Sequence, residues 1–270
     1  MDLIKIRHYA LDSHHARSIW PIIKDIDTPS SMAGLDDAYE NKFGMQFLDH
    51  LAIDEALNFG NPFSFVFEQN GAFVQNIFPI KKLEGEQISS SSKTELSLHT
   101  EIAFHENRPD MLLLFCIRAD ENAGTTYSEM HEILRCLPQW VIEQLKQLNF
   151  LFHPDLSFTM NGASTEPKLQ SIFTDDLSEM TYDMTAVKAM TDDAETALDF
   201  LERAIEHCKK TIYLRPGDFL VIPNRRTVHG RTNFTPRFDG KDRWLKRIMC
   251  RDYSRPPYTE ELINELSASF

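Results

Sequence analysis

Hydrophobic positions follow two different periods along the chain, and the first 60 residues carry the longer one. Apolar pairs between Phe47 and Leu57 recur at helical spacing and stop at Gly60, a residue that commonly ends a helix. Apolar positions between His14 and Ile23 have the same spacing. The pattern therefore predicts a helical N-terminal region that spans residues 1–60.

Strand-like patterns begin directly after this region. Phenylalanine occupies every second position from Phe63 to Phe67, and Asn70-Gly71 is a common turn signal between paired strands. The wholly apolar run Met111–Ile117 predicts a buried strand. Near the end of the chain, Phe219–Ile222 and Leu245–Cys250 predict two further strands.

Two helices are predicted between the early and the late strands. Pro138 stands where a helix to Leu148 begins, a position at which the missing N–H of proline costs least. Glu195–Cys208 places its apolar residues on one face of a second helix. Strands on both sides of a helical insertion predict a mainly β fold with helical cover, formed by a single domain over residues 1–270. Within it, residues 1–60 form the N-terminal helical region, residues 61–130 and 211–255 the β core, and residues 131–210 the helical insertion.

The composition limits the classes of partner. Of the 270 residues, 42% are hydrophobic, which is enough for a sizeable core, and 41 acidic against 28 basic side chains give a net charge of -13. Because nucleic acids and anionic membrane surfaces repel such a chain, we expect neither as a partner. No apolar run approaches the roughly 18 residues that span a bilayer, and charged residues interrupt the N-terminal stretch where a secretory signal is apolar.

Four cysteines lie far apart in the sequence and form no Cys-x-x-Cys pair. Three of them fall in apolar periodic segments, so we expect buried free thiols rather than disulfides or zinc ligands. Together with the charged N-terminal stretch, this predicts a reduced, cytoplasmic protein. The four residues are Cys116, Cys136, Cys208 and Cys250.

One candidate metal site lies in the segment Leu96–Glu101. On a strand, His99 and Glu101 would project from the same face because they are two residues apart. One imidazole and one carboxylate form two thirds of the facial triad that holds Fe(II). Taken alone, a His-x-acid pattern is more often structural than metal-binding; it occurs again at His153–Asp155, where Pro154 argues against a paired strand.

Two arginines share one face of the last predicted strand. Alternation places Arg243, Leu245 and Arg247 together, and the apolar flanks indicate that this face points inward. An inward guanidinium is costly unless it meets an anion, and arginine pairs two-pronged with carboxylates. The pair therefore suggests two carboxylate ligands, with an exposed arginine pair on the surface as the alternative.

The order of these residues resembles that of the Fe(II)/2-oxoglutarate-dependent dioxygenases: His99-x-Glu101, then His229 after 130 residues, then Arg243 after another 14. The stretch HTEIAFHENRPDMLLLFCIRADENAGTTYS, which starts at His99, is similar to the clavaminate synthase-like branch. That branch includes free asparagine and arginine β-hydroxylases and carries an HTE motif, an apolar strand and a threonine pair in this order. The resemblance covers roughly Phe67–Tyr253 and implies a double-stranded β-helix, or jelly-roll, core.

Carried over to this sequence, the resemblance implies the residues of an iron and co-substrate site. The implied Fe(II) ligands are His99, Glu101 and His229. Thr126 and Arg243 would bind the distal carboxylate of 2-oxoglutarate, and O2 would be the second co-substrate. Related halogenases have a small residue in place of the carboxylate ligand, so the presence of Glu101 implies hydroxylation or desaturation rather than halogenation.

The resemblance also implies substrate contacts. Arg247 matches the arginine that binds the α-carboxylate of an amino acid, and Ser89 matches a serine near the substrate. Gln69 is assigned to the polar residue that meets the α-amino group. Asp183 matches an acid that contacts the substrate side chain in the arginine hydroxylase, whose second acid is replaced here by Thr185.

The predicted function is therefore hydroxylation of a free L-amino acid, at C3 first and C4 second, coupled to conversion of 2-oxoglutarate to succinate. Asp183 favours a polar or basic side chain such as that of Arg, Lys, Asn, Gln or citrulline, and residues 173–191 form a candidate lid. Members of this branch commonly serve natural product biosynthesis. The alternatives are an oxygenase of a larger or carrier-bound metabolite and a non-catalytic, metal-holding jelly-roll protein. The oligomeric state is left open.

Overall fold

The computed structural model describes residues 4–8, 27–41, 43–154, 166–256 and 263–265. These residues are mainly β, with helices on the outside, as the sequence predicts. The strands are β1 (Lys5–His8), β2 (Asn61–Phe65), β3 (Gln75–Ile77), β4 (Leu96–His99), β5 (Met111–Arg118), β6 (Thr125–Glu129), β7 (Phe150–Phe152), β8 (Lys168–Gln170), β9 (Val187–Ala189), β10 (Lys210–Ile212), β11 (Asp218–Pro223), β12 (Thr227–Arg231), β13 (Trp244–Arg251) and β14 (Ile263–Glu265). The helices are α1 (Met32–Asn41), α2 (Phe43–Ala56), α3 (Met130–Cys136), α4 (Gln139–Leu145) and α5 (Asp192–His207).

The strands form three antiparallel sheets. The major sheet has the order β1-β11-β5-β13-β2-β14, with β3 also paired to β13. The minor sheet has the order β10-β6-β12-β4, and a small sheet has the order β8-β7-β9. Strands that are distant in sequence are neighbours in both larger sheets, so residues from both ends of the chain meet at one place.

Strand β5 shows why its sequence is wholly apolar. Leu112, Leu114 and Cys116 belong to the core cluster on the side of the minor sheet. Leu113 and Phe115 point the other way and belong to the cluster that includes the buried face of α2. A strand covered on both faces needs hydrophobic residues at every position rather than at alternate ones. The predicted strands Met111–Ile117, Phe219–Ile222 and Leu245–Cys250 are confirmed.

Helix α5 covers the β core with a narrow apolar face. The Thr191 hydroxyl accepts a hydrogen bond from the Ala194 N–H at 3.2 Å and so caps the first turn. Acidic residues follow in that turn, where they stabilise the positive end of the helix dipole. Because this cap lies upstream of the apolar face, α5 begins at Asp192, three residues before the predicted start at Glu195.

The structure corrects the helical prediction for the N-terminal region at one segment. Lys5–His8 is a strand that pairs antiparallel with β11, with Lys5 opposite Val221. This segment is a strand because it pairs with the edge of the major sheet, and the local spacing of apolar residues contains no information about so distant a partner. The predicted helix near Leu51 is confirmed as α2, whereas His14–Ile23 lies outside the described residues.

Two further predictions need correction. The insertion 131–210 contains the small sheet β7–β9 as well as helices. All four cysteines are free, but only Cys116 and Cys250 are buried; Cys136 is exposed and Cys208 is half-buried, because both lie at helix ends. Among the residues that the structure describes, no helix is both long and apolar enough to cross a bilayer.

Candidate active site

A cavity opens between the major and the minor sheet. Leu112, Leu114 and Leu245 of the major sheet form an apolar section of its wall. The remainder is unusually rich in charged and metal-binding side chains, all of which lie in the same cavity. These are Glu68, His99, Glu101, Asp183, His229, Arg231, Arg243 and Arg247.

His99, Glu101 and His229 meet at one point in this cavity. The register of the minor sheet places His229 of β12 opposite His99 of β4, and their ring centroids are 4.5 Å apart. The Glu101 Oε2 atom lies 3.4 Å from His229 Nε2 and 4.0 Å from His99 Nε2. One ligand atom from each residue lies within 4.8 Å of the other two. Two imidazoles and one carboxylate at this spacing fit the facial triad of non-haem Fe(II) sites.

The backbone at Glu101 differs from the predicted strand. β4 ends at His99, and Glu101 lies in the turn that follows. The buried side chain of Asn224 holds this turn: its Oδ1 accepts from the Glu101 N–H at 2.6 Å, and its Nδ2 donates to the Glu101 carbonyl at 3.1 Å. The His99 and Glu101 side chains do meet as predicted, but the turn after β4 brings them together, and not alternation along a strand.

Neighbouring groups set the direction and charge of the three side chains. The Ser97 carbonyl lies 2.8 Å from His99 Nδ1, which leaves Nε2 to face the cluster. Burial alone would raise the pKa of Glu101, but the Arg247 guanidinium and the two histidines outweigh it and hold that pKa well below its usual range. Burial lowers the pKa of His229. Both shifts favour the carboxylate and the neutral imidazole, the forms that bind a metal ion.

Arg247 of β13 and Arg243, the residue directly before this strand, line the same cavity, as the prediction of a shared face requires. They differ in their partners. Arg247 donates to Glu101 Oε1 at 2.5 Å, to Gln75 Oε1 at 2.8 Å and to Glu68 Oε1 at 3.1 Å.

Arg243 is 7% exposed, and its guanidinium makes no hydrogen bond or ion pair with any residue that the structure describes. Burial lowers the pKa of Arg243 to about 10, so it still carries its charge at neutral pH. A buried, unpaired guanidinium is costly and fits a site for an anionic ligand.

Two threonine hydroxyls beside the cavity are also without a partner among the described residues. Thr125 and Thr126 are both buried, and neither Oγ1 makes a hydrogen bond. Thr125 lines the cavity directly. The Thr126 hydroxyl lies 3.0 Å from the position that a Cβ would occupy on Gly230, and the Gly230 backbone lines the cavity too. The structure thus leaves two candidate donors where the sequence indicates one.

Ser89 and Asp183 line the cavity, whereas Gln69 does not. The Gln69 side chain pairs with the backbone of Asn76, accepting from its N–H at 2.8 Å and donating to its carbonyl at 2.9 Å. Its neighbour Glu68 faces the cavity in its place. The structure therefore places Glu68 at the cavity wall rather than the predicted Gln69, because the chain turns at Gln69–Gly71 and directs the Gln69 side chain to the backbone of Asn76.

Asp183 approaches the cluster of His99, Glu101 and His229 through the backbone. It forms an isolated antiparallel bridge with His99, and its carboxylate Oδ1 accepts from the Thr185 N–H and the Thr185 hydroxyl, both at 2.8 Å. The Ala186 N–H donates to the same oxygen at 3.1 Å. All three donors reach Oδ1, so the loop around Asp183 is ordered by one oxygen of its own carboxylate.

Comparison with known proteins places the chain in a family. Residues 53–249 match the family model described as taurine catabolism dioxygenase TauD, TfdA family. The chain belongs to the TauD/TfdA family. It is 37% identical over 194 residues to L-asparagine oxygenase of Streptomyces coelicolor, covering 71% of this chain and 58% of that protein. It is 32% identical over 210 residues to L-lysine 3-hydroxylase of Catenulispora acidiphila, covering 73% and 57%. The chain thus spans about three-fifths of the length of these relatives.

Solved structures agree with this assignment. Asparagine oxygenase AsnO superimposes with a TM-score of 0.69 at 34% identity, over 75% of this chain and 62% of that one. The non-haem iron oxygenase OrfP, in complex with Fe and α-ketoglutaric acid, gives a TM-score of 0.73 at 31% identity, over 84% and 70%. With two antiparallel sheets around a cavity, the TauD/TfdA chain has the predicted jelly-roll fold.

Three residues that hold other site side chains of this TauD/TfdA chain in place were not predicted from its sequence. Glu68 and Gln75 hold Arg247, and Asn224 holds the turn of Glu101. Asn224 directly follows the apolar strand β11, where a polar residue signals the end of a strand but no particular role. Gln75 lies beside Asn76 on the three-residue strand β3, opposite Arg247, so only the sheet register identifies it.

Proposed function

We propose that this TauD/TfdA-family protein is an Fe(II)- and 2-oxoglutarate-dependent hydroxylase of a free L-amino acid. One observation carries the proposal: two histidines and a carboxylate converge in a cavity that also holds an unpaired, buried Arg243. The relatives support it, since the similar proteins are named as oxygenases and hydroxylases of asparagine and lysine.

In this proposal His99, Glu101 and His229 hold Fe(II). When bound, the metal supplies oxidation of a substrate C–H bond by O2, coupled to decarboxylation of 2-oxoglutarate to succinate. The protein orients the reactants, because the reacting carbon must lie next to the metal for selective oxidation. A ligand set with all three protein ligands present, including Glu101, favours hydroxylation over halogenation.

Arg243 would bind the distal carboxylate of 2-oxoglutarate. None of its N–H donors is used by a described residue, so the guanidinium can donate two parallel hydrogen bonds to a carboxylate. The hydroxyl of Thr126 would add a further donor. Both Thr126 and the cavity-lining Thr125 have an unpaired Oγ1, so the two residues must be compared directly.

The charges around Arg247 fit the zwitterion of a free amino acid. The Arg247 guanidinium suits the α-carboxylate, and the Glu68 carboxylate, 3.1 Å from it, suits the α-ammonium group. Ser89 would add a hydroxyl to this site. Holding both α-substituents sets the distance of the side-chain carbons from the iron ligands, which favours oxidation at C3 and then at C4.

Asp183 would contact the end of the substrate side chain. Three donors from its own loop already occupy Oδ1, so a substrate meets mainly the other oxygen and Thr185. A guanidinium needs two parallel acceptors for a two-pronged contact, whereas a primary amide needs fewer. We therefore propose L-asparagine as the first substrate to test, followed by glutamine, citrulline and the basic amino acids.

The proposed location is the reduced cytoplasm. The support is the four free thiols, since disulfides form and persist mainly in oxidising compartments. Biosynthesis of a natural product that contains a hydroxylated amino acid remains the proposed setting.

The test is a reaction of the purified protein with Fe(II), ascorbate, 2-oxoglutarate and one L-amino acid at a time. We expect succinate and an amino acid that gains one oxygen atom in equal amounts, with His229→Ala as the inactive control. Succinate without an oxidised amino acid would indicate a larger or carrier-bound substrate. Neither product from protein with bound iron would contradict the proposal and favour a non-catalytic, metal-holding protein.

A further inference from the structure

Arg231 is the third buried arginine of the cavity, beside Arg243 and Arg247, and lies two residues after His229 on β12. Its Nε donates to the Thr232 carbonyl at 3.0 Å. Nη1 donates to the carbonyls of Ser89 at 3.2 Å and Ser91 at 2.7 Å. Nη2 donates to the Ser91 hydroxyl at 3.1 Å and the Thr94 carbonyl at 2.8 Å. A guanidinium has five N–H groups, so every donor of Arg231 has an acceptor within the protein.

This saturation distinguishes Arg231 from Arg243. Both side chains are buried and line the same cavity. Arg243 has no partner among the described residues and is therefore free to bind an anion. Arg231 has no N–H left to offer a ligand. Its acceptors are four backbone carbonyls and one hydroxyl, so the guanidinium holds the backbone in place instead of binding a ligand.

Four of the five acceptors belong to residues 89–94, a segment that forms neither helix nor strand. Other hydrogen bonds join the segment to the preceding loop: the Ser90 carbonyl accepts from the Ile80 N–H at 3.0 Å, and the Glu84 carbonyl accepts from the N–H groups of Ser92 at 3.3 Å and Lys93 at 2.9 Å. From outside this loop, the Phe234 N–H donates to the Ser92 carbonyl at 2.9 Å. The Arg231 guanidinium also lies over the Phe234 ring, 5.3 Å from its centroid. Arg231 thus supplies four hydrogen bonds that tie the segment to strand β12, whereas the bonds to Ile80 and Glu84 stay within the loop that precedes β4.

We propose that Arg231 is a positioning residue that holds segment 89–94 as a wall of the cavity and so determines the affinity for the amino-acid substrate through Ser89. It acts without touching 2-oxoglutarate. The identity of the affected ligand rests on the proposed function above. The fixing of the segment itself does not, and it can be measured without turnover.

The kinetic test compares Arg231→Lys with Arg231→Gln. Lysine keeps the positive charge but has three donors on one nitrogen instead of a planar fork of five, so it cannot reach the same acceptors. We expect KM for the amino acid to rise at least tenfold in both variants, while KM for 2-oxoglutarate changes less than threefold in Arg231→Lys. A wild-type amino-acid KM in Arg231→Lys, or a larger rise in KM for 2-oxoglutarate than for the amino acid, would overturn the proposal.

The second test uses trypsin on the protein without ligands. Lys93 lies within the segment, and its side chain is 57% exposed. We expect cleavage after Lys93 to be at least fivefold faster in Arg231→Gln, with the thermal midpoint measured in parallel to separate local loosening from unfolding. Ser91→Ala, which removes only the hydroxyl acceptor, should give a smaller increase and serves if Arg231→Gln does not fold. Unchanged cleavage in folded variants contradicts the positioning role, even if no amino acid is ever oxidised.

Discussion

Among the individual residues of the cavity, buried positive and negative side chains are equal in number. Three carboxylates and three guanidinium groups line it, and most of them have partners within the protein. Arg247 contacts two of the carboxylates, Glu68 and Glu101, while Arg243 contacts none of the described ones. The ion pairs of Arg247 stabilise the protein in the absence of ligand, whereas the unpaired charge of Arg243 favours the binding of an anionic ligand.

Arg247→Met tests the partnered arginine. We expect the loss of productive amino-acid turnover, with binding of 2-oxoglutarate largely retained, because Arg243 is unaffected. The free energy of unfolding should fall by about 3–5 kcal/mol, since two buried carboxylates lose their cationic partner. Steady-state kinetics, calorimetric binding and denaturant unfolding measure these effects. Unchanged hydroxylation would contradict the role given to Arg247, and Arg247→Lys shows how much the charge alone supplies.

The threonine pair needs a matched comparison. We expect Thr126→Val to raise KM for 2-oxoglutarate about tenfold, the value of a lost hydrogen bond to a charged group. Thr125→Val, identical in chemistry and one position away, should change it less than threefold. If the larger effect belongs to Thr125→Val, the co-substrate contact belongs to the residue that lines the cavity wall.

At the scale of elements, the site depends on where strands end. His99 is the last residue of β4, and Asn224 follows the last residue of β11. The two hydrogen bonds between Asn224 and the Glu101 backbone, with a third to the Pro109 carbonyl at 2.9 Å, join these ends. The direction of the Glu101 carboxylate is thus set by a residue 123 positions away in sequence.

Asn224→Ala should therefore affect the proposed metal site without removing a proposed ligand. We expect Fe(II) affinity to fall about 10–100-fold, as for other residues that orient metal ligands, and stability to fall by about 1–3 kcal/mol because buried backbone groups lose their partners. Asn58→Ala is the control: among the described residues, its side-chain amide donates only to Asp54 and Glu55 near the end of α2, and to no group of the cluster. Equal iron affinity in both variants would contradict the orienting role of Asn224.

The sequence predicts the elements better than the contacts between them. Strand β5 is identified by its length and apolar composition, and alternation places Arg243 in the same cavity as Arg247 although Arg243 lies one residue before β13. Glu68 was missed in favour of Gln69, because the assignment of Gln69 came from the resemblance alone and falls at a left-handed turn, with φ of 57° at Asn70, where no regular strand pattern fixes which side chain faces the cavity. The strand Lys5–His8 was missed because its partner lies more than 200 residues away.

At the scale of the whole molecule, an ionic cluster joins the candidate lid to the rest of the protein. Glu179 lies in residues 173–191 and pairs with Arg108 at 3.2 Å, with Arg225 at 2.8 Å and with Arg255. The Met180 N–H donates to the Arg225 carbonyl at 2.7 Å. Arg225 directly follows Asn224, so the cluster adjoins the turn that holds Glu101. Movement of the candidate lid stays a prediction.

The Glu179 cluster makes stability depend on pH. Burial would raise the pKa of Glu179, but Arg225, Arg255 and Arg108 outweigh it and lower that pKa below its usual value. A lowered folded-state pKa means that the contribution is full above the unfolded pKa of about 4.3 and is lost as pH falls through the folded value.

Glu179→Gln should therefore be less stable than the wild type at pH 7, with a difference that shrinks below about pH 4. Urea unfolding at several pH values measures it. Glu206→Gln is the control, because Glu206 forms an exposed pair with Lys209 and should change stability little at any pH. A difference between wild type and Glu179→Gln that is independent of pH would show that the carboxylate charge is not what stabilises the cluster.

The unpartnered guanidinium of Arg243 has a consequence for how ligands of this protein can be found. A dicarboxylate that binds only the folded state raises the free energy of unfolding by about 2.7 kcal/mol at a concentration of 100 times its Kd. Melting temperature therefore ranks co-substrate analogues whether or not they support oxidation. With Arg243→Met as the reference, the shift isolates this one contact. A heat-denaturation screen can thus identify ligands of the proposed co-substrate site without any assay of turnover.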